Sequence, residues 1–452
     1  MVRIALRTLR HRAGGFVASF AATLLGATIL MTFASMLDTA GGPDVDPLSE
    51  EQLVTMAAVA GGWCLLIVAF AVTSTLTLSV RQREREIALL KSVGATPGQV
   101  GRMIVVEAAA VSLVAAVLAI PLGFVAGRLM FDLSSDAGII APGVSYRFGV
   151  FAIGIGIGVT VLGAVIAALV TSRRVSRMAA REALAAVVPA RMSRARVAVA
   201  WLLIAGSLNL GVLTIVLFSG KGVDAMQTAG SASILASAGF ALLAPALVRG
   251  VTAVLAGPLR GLAGASGYLS VHNLRRRSQQ MAGALMPIIL FTGISTGTLY
   301  MQTIENRAPS AGGSVPADVE RTVETLNLVV VGMLSLFAAI MVVNTLIAAT
   351  TYRRQEFGQQ RLAGATPRQV RRMVLVEGAV LTVTGVLFGS LASLATILPY
   401  SVARTDSLLP DAPVFIWPAI ALVAAVLTLA ASLGAARRAL RTPATQAVAL
   451  TG

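Results

Sequence analysis

The strongest constraint on this chain is a set of ten apolar runs, at approximately 14–37, 53–80, 104–127, 148–171, 197–219, 231–248, 281–303, 325–350, 374–398 and 415–436. A helix crosses a hydrocarbon core of roughly 30 Å with about 20 such residues, and uninterrupted apolar runs of this length read as helices whose backbone groups are satisfied within the segment. Composition points the same way. Hydrophobic residues make up 56% of the chain and charged residues 12%, about half the charge of a soluble domain. That is too little polar surface to cover a water-soluble globule. The expected fold is an all-α polytopic membrane protein with ten transmembrane helices and short outer loops. The first run follows Arg3, Arg7, Arg10 and Arg12. It is long for a cleavable signal and no small-residue cleavage site follows, so a retained helix is expected.

The balance of 36 Lys and Arg against 20 Asp and Glu, a net charge of +16, would suit nucleic acid only if the basic residues shared a folded face. They alternate between loops instead. With the N-terminus in the cytoplasm, 30 of the 36 basic residues fall in inner segments, while 14 of the 20 acidic residues fall outside. This positive-inside pattern places both termini in the cytoplasm of a multi-pass cell-membrane protein. The lipid bilayer is then the expected partner, and nucleic acid is not. A single cysteine, Cys64, and two distant histidines, His11 and His272, offer neither a disulfide framework nor a metal site. The string Ser219-Gly220-Lys221-Gly222 lacks the spacing and hydroxyl of a phosphate-binding loop. No catalytic triad or paired-carboxylate site is evident, so the chain is not expected to be an enzyme or to bind a cofactor itself.

An internal repeat organises the spans. Residues 83–107 align without a gap on residues 353–377, with twelve identities: Arg83, Glu86, Gly94, Ala95, Thr96, Pro97, Gln99, Val100, Arg102, Met103, Val106 and Glu107 all recur 270 positions later. Weaker echoes link Arg173-Arg174 with Arg437-Arg438, and Leu9-Arg10-His11-Arg12 with Leu274-Arg275-Arg276-Arg277. The expected organisation is a four-span module over 1–190, two linking transmembrane helices over 191–265, and a second four-span module over 266–452. An even number of linking spans gives both quartets the same orientation, unlike an inverted repeat.

The repeated loop predicts a helix, a tight turn and a second helix. Residues 83–93 lack helix breakers and place Ile87, Leu90 and Val93 on roughly one face. Gly94 can take the left-handed conformation that ends a helix. Thr96 then caps the next one, with Pro97 at its first position and Gln99 completing a capping box. Thr366, Pro367 and Gln369 repeat the device. Any polytopic protein needs such reversals, but two near-identical copies suggest two equivalent docking elements.

The pattern Glu86-Ile87, Leu90-Lys91, Gly94-Ala95-Thr96, Gln99-Val100 and Glu107, between a second and third span, resembles the signature of FtsX-like permeases. That group includes the MacB-type, or type VII, ABC transporter membrane subunits. The Arg-rich stretch ending in Glu182-Ala183-Leu184 resembles the end of the same module. The resemblance implies a permease subunit served by a separate ABC ATPase, with two copies per chain, where ATP and magnesium are bound. It implies a bacterial cell membrane and leaves room for an additional accessory protein. It also implies that a coupling helix seats in the ATPase. That role falls on Glu86, Leu90, Gly94, Ala95, Thr96, Pro97, Gln99 and Val100 in one loop. In the other it falls on Glu356, Gly364, Ala365, Thr366, Pro367, Gln369 and Val370. The outer loops Asp38–Gln52 and Ile304–Glu324 are too short for the outer domain many such proteins carry. Export or extraction of an amphipathic, lipid-like or peptide substrate is therefore expected. An ATPase-coupled signalling protein that moves nothing is the alternative, followed by an ion-coupled carrier.

Three further features stand out. Glu107 and Glu377, just inside a membrane edge, either pair with Arg102 and Arg372 or serve as a charged hinge between coupling helix and span. Gly154 and Gly158 form a G-x-x-x-G that permits close helix packing. The clusters Arg275-Arg276-Arg277 and Arg173-Arg174-Arg177 suit topology anchoring and anionic lipid.

Overall fold

A computed structural model describes residues 13–81, 84–136, 138–177, 192–219, 222–276, 278–307, 332, 336, 339–343, 345–346, 353–410 and 412–449. All regular structure among them is helical, as the apolar runs require. The helices are α1 (Ala13–Ala40), α2 (Pro47–Arg81), α3 (Glu84–Ser92), α4 (Pro97–Asp136), α5 (Val150–Arg177), α6 (Arg194–Leu217), α7 (Gly222–Arg276), α8 (Ser278–Arg307), α9 (Arg354–Leu362), α10 (Pro367–Thr405), α11 (Ile416–Leu440) and α12 (Ala444–Ala449). Eight of them are long and apolar enough to cross a membrane: α1, α4, α5, α6, α7, α8, α10 and α11. Each coincides with one of the ten runs. Run 53–80 lies on the 35-residue α2. Most of run 325–350 lies outside the described residues; within it, 339–343 and 345–346 are helical, and Val342 and Leu346 are buried.

The chain divides into two compact units, one holding α1–α5 and the other α6–α12. In the first, α1 is the centre, packed against α2, α4 and α5. Small residues make this possible. Ala27 and Met31 of α1 meet Ala116 and Ala119 of α4, while Leu113, Val114, Val117 and Leu118 on the opposite side of α4 are exposed. Small residues inward and large aliphatic ones outward is the pattern of a helix bundle in lipid, where close backbone approach drives packing. The predicted G-x-x-x-G contact needs correction. Among the described residues, a Cβ at Gly154 or Gly158 would meet nothing within 4 Å, whereas Gly156 lies directly under Met31. At 100° per residue, Gly156 faces away from the ridge that Gly154 and Gly158 share, and that other face is the one turned to α1.

Short connections are fixed by side chains. Both Asp38 oxygens, at the end of α1, accept from backbone N–H groups at the start of α5: Gly149 at 2.9 Å, Phe151 at 3.0 Å and Ala152 at 2.7 Å. This satisfies donors that the first turn of a helix leaves unpaired. Asp46 caps α2 in the same way by accepting from the Ser49 N–H at 3.2 Å. These bonds to Ser49 hold the Asp46 carboxyl below its ordinary range.

In the second unit α7, α8 and α10 pack around Leu285, Ile288, Ile289 and Val380. Gly293 of α8 and Gly389 of α10 face each other so closely that a Cβ on Gly389 would lie 3.0 Å from the Gly293 nitrogen. Thr396 of α10 reaches into the backbone ladder of α7. Its hydroxyl accepts from the Ser233 N–H at 3.1 Å and donates to the Ala229 carbonyl, two groups that are normal i→i−4 partners in a helix. Run 231–248 sits inside a helix that continues to Arg276, past Pro245 and Pro258, and bends at Gly264 with φ 53° and ψ −132°. Proline inside a packed membrane helix is tolerated where neighbours satisfy the freed carbonyl. Pro245 frees the carbonyl one turn before it, at Ala241; beside that gap Arg196 of α6 donates to the Leu242 carbonyl at 2.8 Å, and Arg249 donates to the Pro245 carbonyl at 3.1 Å. Only glycine readily adopts the backbone angles found at 264.

Candidate functional site: two repeated helix–turn–helix elements

The two loops singled out by the repeat have the same local construction. Each begins with a nine-residue helix, α3 or α9. Each helix ends at a glycine with positive φ, 99° at Gly94 and 97° at Gly364. Around Gly94, its own N–H donates to the Lys91 carbonyl at 3.0 Å and that of Ala95 to the Leu90 carbonyl at 2.9 Å. Around Gly364, the N–H of the glycine donates to Arg361 at 3.1 Å and that of Ala365 to Gln360 at 2.9 Å. This is a Schellman closure, which satisfies the last carbonyls of the helix and turns the chain.

The next helix starts at once. The Gln99 N–H donates to Thr96 Oγ1 at 3.3 Å while the Thr96 N–H donates to Gln99 Oε1 at 3.0 Å. In the second copy the same pair measures 3.3 Å and 2.8 Å between Gln369 and Thr366. Both capping boxes are therefore present, with Pro97 and Pro367 opening α4 and α10. Val100 and Val370 are buried, and so are Ile87 and Phe357 on the preceding helices. Gly94, Thr96, Pro97, Gln99 and their counterparts Gly364, Thr366, Pro367 and Gln369 are exposed, with Ala95 and Ala365 half-buried. Each element thus presents a rigid tip above an apolar anchor. Leu90 is exposed. Glu86 lies on α3, and its side chain falls outside the described ones.

Beneath the second tip is a buried ionic network. Arg353, at the N-cap of α9, pairs through Nη1 with Glu377 Oε2 on α10 and donates from Nη2 to Glu377 Oε1 at 3.2 Å. Its Nε reaches Glu356 Oε2 at 3.0 Å, and its guanidinium carbon stands 5.1 Å from the centre of the Phe357 ring. Asn273, near the end of α7, donates to Glu377 Oε1 at 3.0 Å. Arg353 is 8% exposed and Glu377 3%. Burial works against the guanidinium charge, but the Glu377 carboxylate, with help from Glu356, outweighs it and raises the Arg353 pKa. Farther along α9, Arg361 Nη1 donates to the carbonyls of Leu440 at 3.3 Å and Thr442 at 2.9 Å. The first helix of this element is thus fixed to α10 and to the end of α11, and α7 joins the network through Glu377.

The pairing of Glu377 with Arg372 is not what forms. Arg372 instead donates to the Leu262 carbonyl at 2.9 Å. Five residues apart on one helix, Arg372 and Glu377 point to different faces, whereas positions three or four apart would adjoin. Glu107 occupies the equivalent place on α4 and is equally buried. Arg353 was visible in the sequence as one of the twelve repeated positions, matching Arg83, though not as a partner for Glu377. Asn273 carried no signal, since it comes from outside the repeated segment.

The family model for the FtsX-like permease C-terminal region matches the chain twice, over residues 58–180 and 328–444. The two matches together cover more than half of the chain. They begin 270 residues apart, the offset of the repeat, and each contains one helix–turn–helix element. No curated protein matches the chain significantly.

Proposed function

The chain belongs to the FtsX-like permease family, a family of membrane transport subunits that pair with ABC ATPases, and on that premise we propose that it is a MacB-type permease. In this reading ten helices span a bacterial cell membrane as four, two and four, with both termini in the cytoplasm. α3 and α9 lie at the cytoplasmic face, and each seats in one of two ATPase copies. ATP and magnesium act on that partner. Closure of the ATPase pair on ATP displaces both tips. The displacement passes to α4 and α10 and moves the modules against each other, an interface transition of the rigid-body kind. Glu107 and Glu377 stand at the hinge between each tip and its span. The short outer loops favour an amphipathic, lipid-like or peptide substrate taken from the membrane.

The observation that carries the reading is the pair of tips with one construction, both inside the family match and both built on a buried anchor with exposed polar turns. A turn needed only to reverse the chain would not require the same glycine, threonine, proline and glutamine twice. The test uses the full chain in nanodiscs with its ATPase. Replacing Gly94 or Gly364 by valine places a β-branched residue at positive φ and distorts one tip. Each change is expected to lower permease-stimulated ATP hydrolysis at least several-fold while the ATPase alone is unaffected. Unchanged stimulation in both variants would remove the coupling assignment.

A further inference from the structure

The two tips share a frame but not a surface. At the end of α3 the outward side chains are Leu89, Leu90 and Val93, exposed to 64%, 42% and 89%. The aligned positions at the end of α9 and just past it are Gln359, Gln360 and Ala363. Past the turn the difference reverses in kind: Gly98 and Gly101 on α4 correspond to Arg368 and Arg371 on α10, with Arg368 exposed and Arg371 half-buried. Between these positions the sequence Gly-Ala-Thr-Pro is identical and its hydrogen bonding is the same in both copies. Identical frames aim these side chains in the same local direction, so the divergence falls on the surface each tip offers a partner.

We propose that the two tips bind the ATPase by different forces: the α3 tip is an apolar anchor, and the α10 side of the second tip is an electrostatic contact made by Arg368 and Arg371. The proposal rests on the permease reading and adds to it an inequality between the two docking sites. An exposed Leu-Leu-Val cluster on a tip whose frame is kept polar gains by entering an apolar cleft. Two added guanidiniums gain by meeting acidic groups, and that attraction weakens as salt screens it. The α3 contact therefore holds at high ionic strength and the second contact is lost first. Either copy of the ATPase can be the same protein, since the asymmetry resides in the permease.

The experiment measures binding of the cognate ABC ATPase to the full chain in nanodiscs at about 0.05 and 0.5 M salt, where the screening length falls severalfold. The triple change Leu89→Gln/Leu90→Gln/Val93→Ala gives α3 the residues of α9. It is expected to weaken binding about tenfold or more at both salts and to leave a residual affinity that falls steeply with salt. The change Arg368→Ala/Arg371→Ala is expected to flatten the salt dependence and to leave high-salt binding unchanged. Leu89, Leu90, Val93 and Arg368 are exposed and Arg371 is half-buried, and thermal unfolding checks that both variants remain folded. Equal losses and equal salt slopes for the two variants would overturn the inequality while leaving the coupling reading intact. Failure of the unaltered chain to bind the ATPase would instead remove both.

A second arm asks whether lipid covers the α3 tip. Val93→Cys is reacted with a water-soluble maleimide in nanodiscs, and the buried Cys64 gives the background. Rapid labelling that the bound ATPase suppresses is expected. Slow labelling without ATPase would mean that the tip is sunk in the bilayer, and the apolar-anchor assignment would fall.

Discussion

At the scale of single residues, Arg353 shows how a buried charge is stabilised. Its guanidinium is shared by two carboxylates and lies against an aromatic face, and Asn273 takes up Glu377 Oε1. Removing one member of a buried pair strands the other, at a cost of about 3–5 kcal/mol. Arg353→Ala is therefore expected to destabilise the second unit by roughly that amount, and Glu377→Gln in the same chain to restore part of it. Thermal unfolding of the detergent-solubilised single and double variants checks the coupling. Additive losses would show that the two side chains do not depend on each other. Asp46 gives a prediction of opposite electrostatic sense. Its carboxyl is held below the ordinary range by Ser49, so the cap on α2 is intact at neutral pH and is lost as the solution is acidified through that range. Hydrogen exchange at the Ser49 amide is expected to accelerate on acidification relative to exposed reference amides, and Asp46→Asn to remove that excess.

At the scale of elements, what was legible in the sequence was what depends on near neighbours. The helix stop at Gly94 and Gly364 and both capping boxes involve residues within five positions of each other, and spacing alone suffices to anticipate them. The cap energy belongs to this scale: Thr366→Ala leaves the first turn of α10 with an unpaired N–H and is expected to cost about 1 kcal/mol. It is measured as a fall in thermal stability together with faster exchange at the Gln369 amide. Thr96→Ala is expected to act alike on α4, because the two caps have matching geometry. Contacts between elements were not legible. The partner of Glu377 lies 24 positions away on another helix. The close helix approach fell on Gly156, because the facing of α5 is set by α1 and not by its own small-residue motif. The end of run 231–248 was hidden for a different reason. Pro245 stands near that end, but a proline removes a single backbone donor, and α7 continues past it with Arg196 of α6 bonded to the Leu242 carbonyl beside the gap.

At the scale of the whole molecule, lipid as solvent explains the large exposed aliphatic surface, the small residues between helices and the placement of charge. Trp201, Leu202, Leu208 and Val212 on α6 are exposed, a surface that water would penalise. The proposed topology has a direct test in single-cysteine accessibility. Asp44→Cys is expected to react with an impermeant maleimide in intact cells, and Gly98→Cys only after the membrane is opened. The opposite pattern would invert the orientation and separate the tips from any cytoplasmic ATPase.

The long α7 adds a consequence of its own. From Gly222 to the bend at Gly264 it runs without interruption, roughly 60 Å at 1.5 Å per residue. Beyond the bend it bonds through Ser270 to the Met373 carbonyl and through Asn273 to Glu377. Nearer its start it holds Thr396 within its own ladder. It is therefore cross-braced to α10 at two depths, as a pushrod is to its guide. Under the proposed permease function, a cargo that prefers one position of this rod would alter nucleotide affinity on the ATPase by the same factor as nucleotide alters its own, because a binding linkage is reciprocal.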